Sequence, residues 1–219
     1  SPRSDLLSEL AAAEEHGDRL SARELVSTSI LLLIAGNETT TKLIGNATLA
    51  LLRHPDQLAL LREEPARVES AVEELLRFDG PVQLTSRIAT ADREVCGRRV
   101  RRGEQLILLL AGANRDPEQF DDPDRLDVTR TNVRHLGFGQ GVHFCLGAQL
   151  ARLEAALALE ALVTRLPDLA LGSRPVQWGS STILRGPVTL PLRIGRRRTS
   201  PGPTWSSTVP AREGLGPAG

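Results

Sequence analysis

The stretch FGQGVHFCLG gathers Phe138, Gly141, His143, Cys145 and Gly147 into one short loop that ends where an alanine-rich helix begins. A cysteine at such a helix start has a chemical use. Loop and first-turn N–H groups, with the positive end of the helix dipole, stabilise a thiolate. Gly141 and Gly147 let the backbone turn sharply and approach a large flat ligand that a Cβ would obstruct. Other readings of the same residues stand beside this one. A lone cysteine is ordinarily a small buried hydrophobe. His135, His143 and Cys145 give three metal ligands on one loop without the fourth of a structural zinc site. A cysteine nucleophile needs a separate base and an orienting group, and no spacing supplies them. Cys96, in VCGRRV, reads as strand packing.

Three more stretches hold residues able to do chemistry. Glu74 and Arg77 stand at i and i+3, on one face of a helix, and by themselves describe a surface ion pair of little worth. Arg87, in TSRIAT, reads as a solvated arginine on a strand. The stretch LLLIAGNETTTKLI, residues 31 to 44, sets a glycine, an asparagine and three threonines inside a helical pattern, where each weakens the helix. Helical spacing puts Leu32, Gly36, Thr39 and Leu43 on one face with Ala35 beside them. The small residues form a notch between bulky ones, which alone also suits a close helix crossing.

The pattern Phe138-x-x-Gly141-x-x-x-Cys145-x-Gly147 resembles the heme-binding signature of the cytochrome P-450 family. In that family the cysteine thiolate is the proximal iron ligand, which the resemblance places at Cys145. It also implies that Phe138 lies against the porphyrin, that Gly139 and Gly147 belong to the heme-binding loop, and that His143 faces a propionate. Arg87 matches a propionate-binding arginine, and His135 is a second candidate for that work. Glu74-Leu75-Leu76-Arg77 is similar to the family's buried Glu-x-x-Arg element. An arginine from the long coil completes that element, and DDPDRLD offers Arg125, with Leu126 where many relatives have phenylalanine. Ala35-Gly36-x-Glu38-Thr39 resembles the oxygen-binding groove, where the helix opens locally and threonine and acid relay protons. The resemblance implies heme b (iron protoporphyrin IX) as cofactor and a monooxygenase reaction that puts one atom of O2 into a small organic substrate. A ferredoxin- or flavin-type electron donor would be the partner.

These side chains need elements to position them. Ser21 and Glu24 form a capping-box pattern, and apolar residues then recur with helical period up to His54-Pro55, which predicts a helix over about 22 to 53. At 1.5 Å per residue it spans roughly 45 Å, so it should run through the centre of the fold. Its charges thin out between Glu24 and Glu38, as burial requires. A helix from Pro55 to about Glu64 follows, and another over about 66 to 78 stops at Asp79-Gly80-Pro81. TSRIAT, REVC, RRVRR and QLILLL predict a small antiparallel sheet. Residues 114 to 134 form a long coil, residues 146 to 165 a helix, and 169 to 194 a few closing strands. The fold class is therefore mainly α with small antiparallel β-sheets, and the resemblance implies the C-terminal part of the cytochrome P-450 fold. One partial heme-binding domain covers 1–195, and the Pro/Gly/Ser-rich stretch 196–219 is expected to be a disordered tail.

Bulk properties narrow the function classes. The 27 basic and 27 acidic residues cancel, so net charge points neither to nucleic acid nor to an anionic membrane. Apolar runs fall short of the roughly 20 residues of a membrane span, which makes the cytoplasm the expected compartment. Two cysteines fit a reducing one. A single lysine, Lys42, amid many arginines and alanines suggests a GC-rich bacterial genome. The chain has no methionine and nothing that matches the family's N-terminal portion, so a truncated product is expected. A second hypothesis follows, a heme-free remnant without catalytic activity.

Overall fold

The computed structural model describes residues 3–15 and 18–195, so the expected tail at 196–219 lies outside the described residues. Helix α1 (Leu6–Ala12) and the paired strands β1 (Glu14–Glu15) and β2 (Asp18–Arg19) precede the dominant element, α2 (Ala22–Arg53). The Ser21 hydroxyl accepts the Glu24 N–H at 3.3 Å, and the Glu24 carboxylate accepts the Ser21 N–H at 2.9 Å. This reciprocal cap satisfies two donors that a helix start leaves unpaired, which is why α2 begins where the sequence predicts.

Three further helices pack on the C-terminal half of α2. They are α3 (Pro55–Glu63), α4 (Val68–Asp79) and, after the sheets, α6 (Ala148–Arg165), with the single turn α5 (Leu110–Ala113) between them in sequence. Leu43, Ala47 and Leu51 of α2 meet Leu58 and Leu61 of α3, Val72, Leu75 and Leu76 of α4, and Ala155 and Leu159 of α6 in one core. Leu126 and Val128 of the coil are 1% exposed in that core. They act as the apolar pegs of a segment with no regular structure.

The strands form two-residue to four-residue antiparallel ladders. β3 (Thr85–Ile88) pairs with β6 (Gln105–Leu108), and β4 (Arg93–Val95) with β5 (Arg98–Val100). β7 (Ala170–Leu171) pairs with β10 (Leu192–Arg193), and β8 (Gln177–Trp178) with β9 (Pro187–Thr189). The single sheet expected over 82 to 113 is thus two separate ribbons, and QLILLL leaves its strand after Leu108 to turn into α5.

Two expectations are corrected. Cys96 is not packed inside a strand: it is exposed in the two-residue turn between β4 and β5, with φ 49° beside Gly97 at 73°. A tight hairpin needs positive φ at both central residues, and here a cysteine takes one of them. The N-terminal half of α2 is not buried either. Val26, Ile30, Leu31, Leu33 and Ile34 are all more than half exposed, whereas every buried residue of α2 lies from Thr40 onward. Few charges occur there, yet no described element covers that stretch.

Candidate functional site

Two adjacent glutamates of α4 organise the site, because neighbouring positions on a helix point about 100° apart and reach different segments. Glu74 is fully buried with Arg77, one turn later. Arg77 Nε donates to Glu74 Oε2 at 2.7 Å and Nη2 to Oε1 at 2.8 Å, a two-point pairing of fork and carboxylate. Its remaining donors go to the carbonyls of Asn114, Pro123 and Arg125 at 3.0, 2.8 and 3.0 Å. The coil is thereby tied to α4 by its backbone. Glu74 Oε1 also accepts the Asp127 N–H at 3.0 Å.

The second arginine on Glu74 is Arg130, whose Nε lies 3.4 Å from Oε1 with the side chain 17% exposed. This corrects the expectation for Arg125, which is exposed and contributes only its carbonyl oxygen. The reason is local. Asp127 Oδ1 accepts from the Thr129 N–H and hydroxyl at 3.0 and 2.6 Å, and Arg130 N–H donates to the Asp127 carbonyl. That turn brings residue 130 back toward Glu74.

Glu73 serves the cysteine loop instead. Its carboxylate accepts His135 Nε2 at 3.1 Å and the Arg152 fork, Nε at 2.7 Å and Nη2 at 3.0 Å. His135 Nδ1 accepts the Gly137 N–H at 2.9 Å, which fixes the proton on Nε2. Both ring nitrogens are therefore engaged by protein groups, which corrects the expectation that His135 meets a propionate. Burial raises the Glu73 pKa, but hydrogen bonds from His135 and Arg152 outweigh it and hold the carboxyl at about 2. Sequence reasoning missed Glu73, Arg130 and Arg152. Residues 73, 135 and 152 converge only through the packing of α4 on α6.

The loop itself closes on backbone bonds. Cys145 N–H donates to the Phe138 carbonyl at 3.0 Å, and Leu136 N–H donates to the Asn114 side chain at 2.7 Å. Gly139 and Gly141 sit at φ 70° and 75°, positions that favour glycine. Phe138 stacks under the Arg152 guanidinium at 4.5 Å and lies 6.4 Å from the Phe144 ring. Cys145 and His143 are exposed, with Val142 and Leu146 98% and 89% exposed beside them. Gly147 caps α6, and a Cβ there or on Gly141 would meet nothing within 4 Å.

On α2, the Thr39 hydroxyl donates to the Ala35 carbonyl at 2.5 Å, and Glu38 pairs with Lys42 at 3.4 Å. Around Gly36 there is open space. α2 runs unbroken through this stretch rather than opening locally. Arg87 is exposed, and its Nη1 donates to the Ser86 carbonyl and the Thr85 hydroxyl.

With that geometry in place, the comparisons with known proteins decide the family. The Cytochrome P450 family model matches residues 1–167. The chain belongs to the cytochrome P450 family. It is 48% identical to Cytochrome P450 107B1 of Saccharopolyspora erythraea, over 89% of this chain and 49% of that protein. To the Vitamin D(3) 25-hydroxylase of Pseudonocardia autotrophica it is 50% identical, over 88% and 48%. The P450 fold is equally direct: the solved structure of Bacillus subtilis PksS superposes with TM-score 0.85 at 43% identity, over 89% of this chain and 51% of that one. This P450 chain spans about half the length of the curated relatives it matches.

The family implies a heme-iron cofactor, and the residues present fit one. An exposed thiol stands on a loop bonded to itself, and Gly141 and Gly147 beside it face open space that a Cβ would begin to fill. Exposed Val142 and Leu146 add apolar surface suited to a flat macrocycle. Among the described residues no three His, Cys, Asp or Glu side chains cluster as a metal site. A heme held through one cysteine would need none.

Proposed function

We propose that this P450 chain carries the thiolate side of a heme monooxygenase, with Cys145 as the iron's protein ligand and Phe138, Gly139 and Gly147 shaping the surface against the macrocycle. The observation that carries the reading is the exposed Cys145 on its self-bonded glycine loop at the start of α6. Thiolate-ligated heme supplies the activation of O2 from which one oxygen atom is inserted into a small organic substrate. Two electrons come from a ferredoxin- or flavin-type donor.

The remaining roles belong to this chain's side chains. His143 and Arg87 are exposed side chains with N–H donors, able to meet carboxylate groups of the cofactor's edge. Thr39 gives its proton to the Ala35 carbonyl, so its oxygen lone pairs stay free to accept a hydrogen bond from a proton donor in the groove. Glu38, half exposed beside Lys42, exchanges protons with solvent one residue away. Ala35 and Gly36 keep that groove shallow-walled, because neither carries a side chain beyond Cβ. Glu74, Arg77 and Arg130 hold the coil that leads into the loop.

The absorption spectrum of the reduced, carbon-monoxide-bound chain, beside Cys145→Ser, tests the reading. A thiolate-type band in the wild type that is lost in the variant is the expected result. No uptake of heme rejects the cofactor assignment for this chain, and an unchanged band in the variant rejects Cys145 as ligand. The exposed stretch Val26 to Ile34 supports a second reading, a heme-free remnant whose open apolar face leaves the site without its other wall. The same spectrum separates the two.

A further inference from the structure

Glu73 has no part in the function proposed above, yet it joins the cysteine loop to the helix that follows it. Its two oxygens reach the first residue of the loop, His135, and a residue of the helix that follows, Arg152. Arg152 in turn sits over Phe138, 4.5 Å from the ring centre, and the His135 ring lies tilted to that of Phe138 at 5.7 Å. His135 is 3% exposed, and Arg152 and Glu73 30% and 27%, so the Glu73–Arg152 ion pair is shielded without being sealed. Apart from the Leu136 N–H on Asn114 and Phe138 against the core, the loop has few anchors: its backbone bonds run from loop to loop, and Val142, Phe144 and Leu146 are all at least half exposed.

We propose that Glu73 is a positioning residue that clamps the cysteine loop between α4 and α6. The clamp does not depend on the function proposed above. One carboxylate reaches His135, which opens the segment that carries Phe138 and Cys145, and Arg152 of the helix that follows it. Arg152 is held in turn against the Phe138 ring, so the pair grips the segment from both sides in sequence.

Hydrogen exchange on the heme-free chain tests the clamp, with Glu73→Gln and Arg152→Lys compared with wild type. Both variants should exchange at least tenfold faster across residues 135–147, with α3 and the C-terminal half of α2 unchanged. Arg152→Lys keeps the charge but loses the fork, so it guards against a Glu73 variant that fails to fold. Unchanged exchange in the loop overturns the clamp.

Discussion

Glu73 and Glu74 show how a single peptide step separates two tasks. Glu73 ties the cysteine loop and stays in partial contact with solvent, so it responds to pH. Its folded-state pKa is lowered from 4.5 to about 2. Its stabilisation is therefore complete above pH 4.5 and is lost as pH falls from there toward 2. Discounted for solvent screening, the effect is on the order of 1–2 kcal/mol. Unfolding free energies of wild type and Glu73→Gln from urea titration should differ by that amount at pH 7 and converge near pH 2; a difference constant over this range would count against it. Arg125 and Arg130 offer a second contrast at this scale. Arg125→Ala removes an exposed side chain whose backbone oxygen stays in place, so its cost should lie within about 0.5 kcal/mol. Arg130→Ala removes a shielded guanidinium bonded to the Asp121 and Asp122 carbonyls and paired with Glu74. It should cost on the order of 1–3 kcal/mol. Equal midpoints for the two variants would return the triad to Arg125.

Elements carry the connection from these residues to the site. The coil from Asn114 to Arg134 has no repeating bonds of its own, so its shape is set by what it touches. Arg77 holds three of its carbonyls, Gln57 of α3 accepts the Val128 N–H at 2.9 Å, and Asn114 passes the constraint to Leu136. Glu74→Gln leaves Arg77 buried with an uncompensated charge, and should cost about 3 to 5 kcal/mol. Thermal unfolding with loss of the coil's exchange protection would show it, whereas a variant within 1 kcal/mol of wild type would mean the coil is held otherwise. Helix boundaries were legible because their signals are local: the Ser21–Glu24 cap, Pro55, and the stop at Gly80. The buried Glu74–Arg77 pair was legible only through its spacing and family resemblance, since an i, i+3 ion pair looks the same on a surface. Arg130, Glu73 and Arg152 were not legible, because turn geometry and helix packing choose among several arginines equally available in the sequence. Cys96 misled for a similar reason: VCGRRV alternates like a strand, and only the hairpin's twist decides that the cysteine takes the turn.

At the scale of the whole molecule, the C-terminal half of α2 lies inside a core and its N-terminal half outside one. Val26, Ile30 and Leu33 recur at i, i+4 and i+7, a stripe of the kind that helices bury. They are 58%, 53% and 72% exposed. Leu150 and Leu153 of α6 add 59% and 53%. The relatives that this chain matches are about twice as long, so such surface has a natural cover in a complete fold that the described residues do not supply. Apolar surface of this extent drives association when it is left open. The 219-residue chain should therefore self-associate, with a weight-average sedimentation coefficient that rises with concentration. Ile30→Lys together with Leu33→Glu should return it to the monomer value. The urea midpoint, measured at a concentration low enough to keep both forms monomeric, should stay the same, because neither residue belongs to the core formed by α2, α3, α4 and α6. Association that survives the double variant would place the sticky surface elsewhere, on the exposed Ile88 and Ile107 of the β3–β6 ribbon.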